Sequence, residues 1–131
     1  MQKNIRIRIM LLKQTKPNGG NYSLVGGTVE SDELARAALI RESKEEAGIQ
    51  LQEKDLILVH VLHQKKHGNE DRITLYFKAI RWEGKLRARE TAKFKDTRWF
   101  PLDKLPDNIT PKVRQALRNY RRGVAYSEME T

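Results

Sequence analysis

The chain has 131 residues, the length of one typical domain, and we predict a single domain over residues 1–131. It contains no cysteine, which excludes disulfides, thiolate metal sites and cysteine nucleophiles. No apolar run approaches the ~20 residues of a membrane span, and the N-terminal residues alternate isoleucine with arginine, unlike a signal peptide. We therefore expect a soluble, cytoplasmic protein without membrane contact.

The charge is large and unevenly distributed. The 26 basic and 17 acidic residues give a net charge of +9, which favours anionic partners. Basic residues are dense over 82–98 and in the C-terminal helix predicted below, where they are Lys112, Arg114, Arg118, Arg121 and Arg122. Acidic residues cluster between positions 30 and 46. An acidic cluster inside a basic protein is the first indication of a functional site.

The first predicted elements are two strands. Alternating apolar residues predict a strand over 4–12, and the composition of 16–20 predicts a turn. A second, short strand is predicted over 22–25, where the glycine pair 26–27 should stop it.

A helix follows this strand. Ser31 or Asp32 provides a suitable N-cap, and helix-forming residues continue to Ala47. Gly48 stands where a helix commonly ends in a left-handed cap.

The second half of the chain is mostly strand. Apolar runs predict strands over 56–62 and 73–82, joined by a hairpin loop over 64–71. A further short strand is predicted over 96–101 and an amphipathic helix over 109–122. The order β-β-α-β-β-β-α predicts an α+β fold, an α/β/α sandwich in which helices flank a mixed sheet.

Three glutamates of the first helix lie on one side of it. Glu42, Glu45 and Glu46 are spaced i, i+3, i+4 and fall within about a 100° arc. Such carboxylates repel one another unless positive charge lies among them, and Arg41 and Lys44 flank them. The triplet alone is typical of a salt-bridged, solvated face. The alternative is a site for a hard cation such as Mg²⁺, which takes carboxylate ligands.

The residues around the triplet favour the second interpretation. Gly27 is followed after five residues by Glu33, and after seven more by the segment 41–49, Arg-Glu-Ser-Lys-Glu-Glu-Ala-Gly-Ile. This arrangement resembles the Nudix box, G-x5-E-x7-R-E-U-x-E-E-x-G-U, in which U is a bulky apolar residue. Seven fixed positions agree, and a chance match is on the order of 10⁻⁸ per starting position.

The resemblance has departures and extends beyond the box. Ser43 replaces an apolar residue of the pattern, which should loosen helix packing, and Asp32 replaces a frequent glycine. The segment 21–27 is similar to the family's strand before the box, although Val25 stands where proline is common. The segment 99–106 is similar to the stretch after the family's last strand, so the resemblance covers nearly the whole chain.

Membership of this family implies hydrolysis of a nucleoside diphosphate linked to another group, with Mg²⁺ or Mn²⁺ as cofactor. By position in the motif, Glu42, Glu45 and Glu46 would be the catalytic and metal-ligating carboxylates, and Glu42 is our preferred base. The carbonyl of Gly26 would add a backbone ligand. A later carboxylate often completes such a site; Glu90 is our candidate, and Asp96 and a plain surface role for Glu90 are the alternatives.

The remaining motif residues have supporting roles under the same resemblance. Arg41 and Glu33 would orient the glutamates. Gly27 and Gly48 would be structural, and Gly48 lets the chain leave the helix.

Other side chains are interpreted as ordinary structure. The histidines are assigned surface or core roles, and the aromatic residues are assigned to the core or a sheet face rather than to base stacking: His60, His63, His67, Tyr22, Tyr76, Phe77 and Trp82. The sequence does not identify the substrate-binding residues; Lys65, Lys66, Arg87 and Arg89 are candidates to hold terminal phosphates.

The leading functional hypothesis is a MutT-like hydrolase that releases pyrophosphate from nucleoside triphosphates. Dinucleoside polyphosphates, ADP-ribose, nucleotide sugars and RNA 5′-triphosphates remain as other substrates. The competing class is a non-catalytic RNA-binding module, suggested by the basic C-terminal helix. A small nucleotide is thus the expected partner, RNA is possible but not expected, and monomer and homodimer both stay open.

Overall fold

The computed structural model describes residues 4–14, 22–28, 32–65, 68, 71–84 and 97–130. The predicted turn over 16–20 lies outside these residues. The described chain forms six strands and two α-helices with one short 3₁₀ turn: β1 Asn4–Gln14, β2 Tyr22–Thr28, α1 Ala35–Ala47, the turn Glu53–Asp55, β3 Leu56–Lys65, β4 Arg72–Ala79, β5 Thr97–Arg98, α2 Pro111–Arg121 and β6 Tyr126–Glu130. Among the described residues, no helix is long and apolar enough to cross a membrane.

The strands form one mixed sheet in the order β2-β1-β4-β3-β6. β1 lies antiparallel to β2 and parallel to β4, while β3 lies antiparallel to β4 and parallel to β6. The short β5 pairs with the C-terminal part of β1, at Leu12 and Lys13. The predicted mixed sheet and the hairpin of β3 and β4 are confirmed.

The two helices cover opposite faces of this sheet. Neighbouring residues of a strand point to opposite faces, and Phe77 belongs to the buried cluster around α1 whereas Tyr76 belongs to the one around α2. The α1 cluster contains Leu39 and Ile49, and the α2 cluster contains Val113. This arrangement is the predicted α/β/α sandwich.

A bulge lets β3 contribute to both cores. Leu58 lies opposite Phe77 and His60 lies opposite Tyr76, so two residues of β3 advance against one of β4. From His60 onward it is therefore the alternate side chains, such as His60 and Leu62, that face α2, and Leu62 is fully buried in that cluster.

Two predicted boundaries around the acidic helix are wrong. The glycine pair 26–27 does not stop β2, because both glycines pair with β1, opposite Arg8 and Ile7. The helix starts at Ala35, later than predicted. Leu34 is its N-cap and makes no side-chain capping bond, so Asp32 does not cap the helix, and Ser31 lies outside the described residues.

Two further differences concern the second half of the chain. The fourth strand ends at Ala79 rather than at Trp82, since its pairing with β3 ends where β3 begins, at Leu56. β6 was not predicted. His60 fastens it, with Nδ1 donating to the Val124 carbonyl at 2.8 Å and Nε2 accepting from the Ser127 hydroxyl at 2.8 Å. His60 is 1% exposed and thus has a core role.

Candidate active site

Helix α1 carries the predicted site and packs against β1 and β2. Its C-terminal end is closed as predicted, because Gly48 adopts φ 71° and its N–H donates to the Lys44 carbonyl at 3.1 Å. Gly84 supports this end through a close approach, since a Cβ there would lie 2.6 Å from the Gly48 carbonyl oxygen. Sequence reasoning missed Gly84, and its position after a strand was the available signal.

Arg41 is the centre of the site. Its Nη2 and Nε donate to both carboxylate oxygens of Glu33, at 2.7 and 3.2 Å. Its Nη1 donates to Glu42 at 3.0 Å and to Glu45 at 3.3 Å. The structure thus brings together four of the predicted site residues, with one guanidinium among three carboxylates.

The bond to Glu33 also explains how α1 begins. Glu33 precedes the helix and Arg41 lies two turns into it, so the bidentate pair fixes the incoming chain to the helix. It takes the place of the missing side-chain cap. The orienting role of Arg41 and Glu33 stays a prediction, with which these contacts agree.

The protonated state of Arg41 is reinforced by these partners. The hydrogen bond to Glu33 raises the pKa of the Arg41 guanidinium, and the bond to Glu42 and the charges of both glutamates act in the same direction. Burial acts in the opposite direction and is outweighed. Arg41 is therefore positively charged at neutral pH.

The three glutamates of the triplet differ in exposure. The Glu45 side chain is 48% exposed, the Glu42 side chain is 16% exposed, and Glu46 is buried at 4%. Ser43 is fully buried on the interior side of the helix. The triplet therefore extends from solvent at Glu45 to the protein interior at Glu46.

The donor set suits a hard divalent cation by its chemistry, since carboxylate and carbonyl oxygens are the ligands of Mg²⁺ and Mn²⁺. Gly26 lies on β2, which contacts α1. Within the described ranges, however, no three histidine or acidic side chains stand close enough to hold a metal ion by themselves. Glu90 and its alternative Asp96 both lie outside the described residues, so the predicted later ligand stays a prediction.

The other predicted residues are distributed as follows. Tyr22, Tyr76 and Phe77 are buried, as predicted, whereas Trp82 is not a core residue. It follows the end of β4, is 47% exposed and stacks on Trp99 with ring centroids 4.9 Å apart. Because Trp82 lies beyond the end of β4, its side chain does not pack into either core of the sheet.

Two of the remaining predicted residues lie on β3. His63 contacts Asp71 through Nε2 at 3.0 Å, and Lys65 is exposed at the end of that strand. The other candidates, His67 and the phosphate-binding cations Lys66, Arg87 and Arg89, fall outside the described residues.

Comparison with solved structures shows the same fold. The MutT Nudix hydrolase of Burkholderia pseudomallei is 27% identical, with a TM-score of 0.78 over 90% of this chain and 98% of that chain. The MutT protein of Methanosarcina mazei Go1 is 19% identical, with a TM-score of 0.75 over 92% and 94%. An ADP-ribose pyrophosphatase of Streptococcus suis is 21% identical, with a TM-score of 0.59 over 98% of both chains.

Sequence comparison identifies the family. A search of curated proteins gave no match, but the family profile described as the NUDIX domain matches residues 2–120. That range includes α1 with its glutamates and Arg41. The chain therefore belongs to the Nudix family, and it is a hydrolase that acts on pyrophosphate bonds.

Proposed function

We propose that this hydrolase cleaves ribo- or deoxyribonucleoside triphosphates to the nucleoside monophosphate and pyrophosphate, with Mg²⁺ or Mn²⁺ as cofactor. The observation that carries the substrate class is the similarity to the MutT hydrolase of Burkholderia pseudomallei, which extends over 98% of that chain at 27% identity. The net charge of +9 supports it, because a positive protein attracts a compact polyanionic substrate.

Four groups would hold the divalent cation in this proposal: Gly26 through its carbonyl, and the carboxylates of Glu42, Glu45 and Glu46. Such a cation, when bound, stabilises negative charge on phosphate oxygens and lowers the pKa of water. Glu46 suits a fixed ligand because burial restricts its side chain, whereas the half-exposed Glu45 adapts to an incoming ligand.

The protein groups also have roles in the hydrolysis itself. Glu42 would take the proton of the attacking water as a new phosphorus–oxygen bond forms and the bond to the pyrophosphate leaving group breaks. Arg41 keeps that carboxylate in place through its 3.0 Å hydrogen bond. Since catalysis of phosphoryl transfer depends mainly on positioning and charge stabilisation, the precision of this arrangement should determine turnover.

The test is product analysis with a substrate panel in the presence of Mg²⁺. The panel contains canonical and oxidised nucleoside triphosphates, ADP-ribose, a dinucleoside tetraphosphate and RNA with a 5′-triphosphate. Monophosphate and pyrophosphate are separated by ion-exchange chromatography. The proposal predicts that triphosphates give both products and that chelation of the metal stops the reaction.

Variants connect the activity to the site. Glu46→Gln should reduce turnover by at least about 100-fold, as expected for removal of a charged group that acts on the transition state. Glu45→Gln provides a second test, because its half-exposed side chain can be changed without disturbing the core. Glu53→Gln, an exposed carboxylate of the 3₁₀ turn, is the matched control and should retain full activity.

Each result has a defined meaning. Turnover of ADP-ribose, of the dinucleoside tetraphosphate or of RNA 5′-triphosphate ends alone would contradict the proposed substrate while keeping the hydrolase. Full triphosphate activity in both Glu46→Gln and Glu45→Gln would contradict the assigned site.

A further inference from the structure

A second charged feature lies on α2, across the sheet from α1. Arginines of this helix and of its C-cap line a surface groove of about 490 Å³, together with Leu105 and Leu117: Arg114, Arg118, Arg121 and Arg122. The spacing i, i+4, i+7, i+8 places the arginines on one side of the helix. The groove is therefore concave, with a cationic wall.

Within the described part of the chain, these arginines form no ion pairs. Arg118, Arg121 and Arg122 are exposed, and none of them forms an ion pair or donates a side-chain hydrogen bond to the part of the chain that the structure describes. Arg114 donates Nη2 to the carbonyls of Pro106 and Asp107, at 3.3 and 3.0 Å. Its guanidinium is thus positioned without being neutralised.

The arginines are not needed to cap the helix either. The N–H of Arg122 donates to the Asn119 carbonyl at 3.1 Å, and the N–H of Gly123 donates to the Tyr120 carbonyl at 3.1 Å. The N–H of Val124 also reaches the Asn119 carbonyl, at 2.9 Å. Backbone donors therefore satisfy the last carbonyls, as in a Schellman motif closed by a left-handed glycine.

We propose that the α2 groove binds the phosphodiester backbone of single-stranded nucleic acid. All four cations are arginines, whose planar forks bind phosphate oxygens in pairs. A concave cationic groove follows a single phosphate chain, as in proteins that bind single strands without sequence preference. This function is separate from the proposed hydrolysis, because α1 lies on the other face of the sheet.

Charge and polarity favour nucleic acid over an anionic membrane. Membrane-surface helices insert exposed apolar side chains between the lipids. Of the two apolar residues in the groove, Leu117 is only 3% exposed and Leu105 is partly buried, whereas the exposed lining residues are arginines. The side chains that reach solvent here are cationic.

The experiment measures the binding of fluorescent single-stranded oligonucleotides by anisotropy over a range of salt concentrations. Three proteins are compared, each checked for folding by thermal unfolding: the wild type, the groove variant R118Q/R121Q/R122Q, and the charge-matched control K44Q/K54Q/R81Q. All three control positions are exposed and outside α2. A fourth protein, R118K/R121K/R122K, keeps the charge and removes the guanidinium forks.

The expected result follows from counterion release. Each lost contact to a single strand lowers the slope of log K against log salt by about 0.7, so three contacts lower it by about 2. If the groove variant and the wild type bind equally at ~1 M salt, this difference in slope makes the variant bind about 100-fold more weakly than the wild type at ~0.1 M salt. The control should keep the wild-type slope, and the lysine variant should keep the slope with weaker binding.

Several outcomes would overturn the proposal. The proposal is wrong if the groove and control variants lose oligonucleotide affinity equally, or if the glutamine and lysine variants of the groove both bind like the wild type. It is also wrong if the wild type does not bind oligonucleotides. Groove-dependent binding to anionic vesicles, with none to oligonucleotides, would also overturn it. Pyrophosphate release from triphosphates should be the same in the groove variant and the wild type, which separates this inference from the proposed function.

Discussion

Two serine-to-alanine substitutions remove the same atom and should change stability in opposite directions. Ser43 is fully buried in α1, and its hydroxyl has no hydrogen-bond partner among the described residues. The Ser127 hydroxyl of β6 contacts His60 Nε2 at 2.8 Å and accepts from Gln115 Nε2 at 3.1 Å. We expect Ser43→Ala to stabilise the protein and Ser127→Ala to destabilise it.

The magnitudes come from the environment of each hydroxyl. A buried polar group without a partner costs about 1–3 kcal/mol, and alanine is better than serine in a helix by about 0.5 kcal/mol. The lost packing of one atom offsets part of this, so Ser43→Ala should raise the free energy of unfolding by about 1 kcal/mol. Ser127→Ala removes the hydroxyl that donates to Nε2 of the buried His60 ring, and should lower the free energy of unfolding by about 2 kcal/mol.

The assay is urea unfolding followed by circular dichroism, with thermal unfolding as a second measurement. For 131 residues, 1 kcal/mol corresponds to about 3–4 °C in Tm. Triphosphate turnover should not change in Ser43→Ala, because Ser43 faces the interior while Glu42 and Glu45 face Arg41. A loss of stability in Ser43→Ala would refute the reasoning, since it would mean that the hydroxyl has a partner in solution.

Three further predictions concern Arg41 in the candidate site, Gly84 beside the end of α1, and Tyr126 in β6. Arg41→Met should lower the free energy of unfolding by about 2 kcal/mol, a value between those for exposed and buried ion pairs, and should also reduce turnover. The control Lys44→Met, at an exposed position of the same helix, should change neither. In urea unfolding, Gly84→Ala should lower the free energy of unfolding by about 1–3 kcal/mol more than Gly123→Ala. Both glycines have positive φ, 98° and 71°, but only at Gly84 would a Cβ meet backbone, 2.6 Å from the Gly48 carbonyl oxygen. The hydrogen bond to Glu128 raises the pKa of Tyr126 above 10.0. The stabilisation by this hydrogen bond is therefore present below about pH 10 and is lost as the pH rises through the raised pKa. NMR titration of the Tyr126 ring should show a lower pKa in Glu128→Gln. Equal stabilities for the two glycine variants, or an unchanged Tyr126 titration, would contradict these assignments.

The family motif was more predictable than the fold boundaries, for a physical reason. A motif on one helix depends on spacing along the chain, and spacing is visible in the sequence. The end of α1 at Gly48 is equally local, because a left-handed cap needs only a glycine at the right position. The start of α1 was misplaced because it depends on the Arg41–Glu33 bond, between residues eight positions apart.

The strand errors have the same origin. Glycine disfavours strands by itself, but the pair 26–27 is held by its neighbour β1, which the local sequence cannot reveal. β6 reads Tyr-Ser-Glu-Met-Glu, with too few apolar residues to indicate a strand. It forms because the buried His60 and Gln115 of α2 bind Ser127, two contacts over long sequence distances.

Under the proposed function, the separation of charges across the sheet would explain why a chain with net charge +9 uses a divalent cation. The arginines of α2 lie on the opposite face and cannot neutralise the glutamates of α1. Arg41 donates hydrogen bonds to Glu33, Glu42 and Glu45, and these four side chains together carry two net negative charges. A phosphate chain approaching them would be repelled. Under the proposed function, a divalent cation held by Gly26, Glu42, Glu45 and Glu46 would offset this negative charge, so that an anionic substrate could bind beside an anionic base.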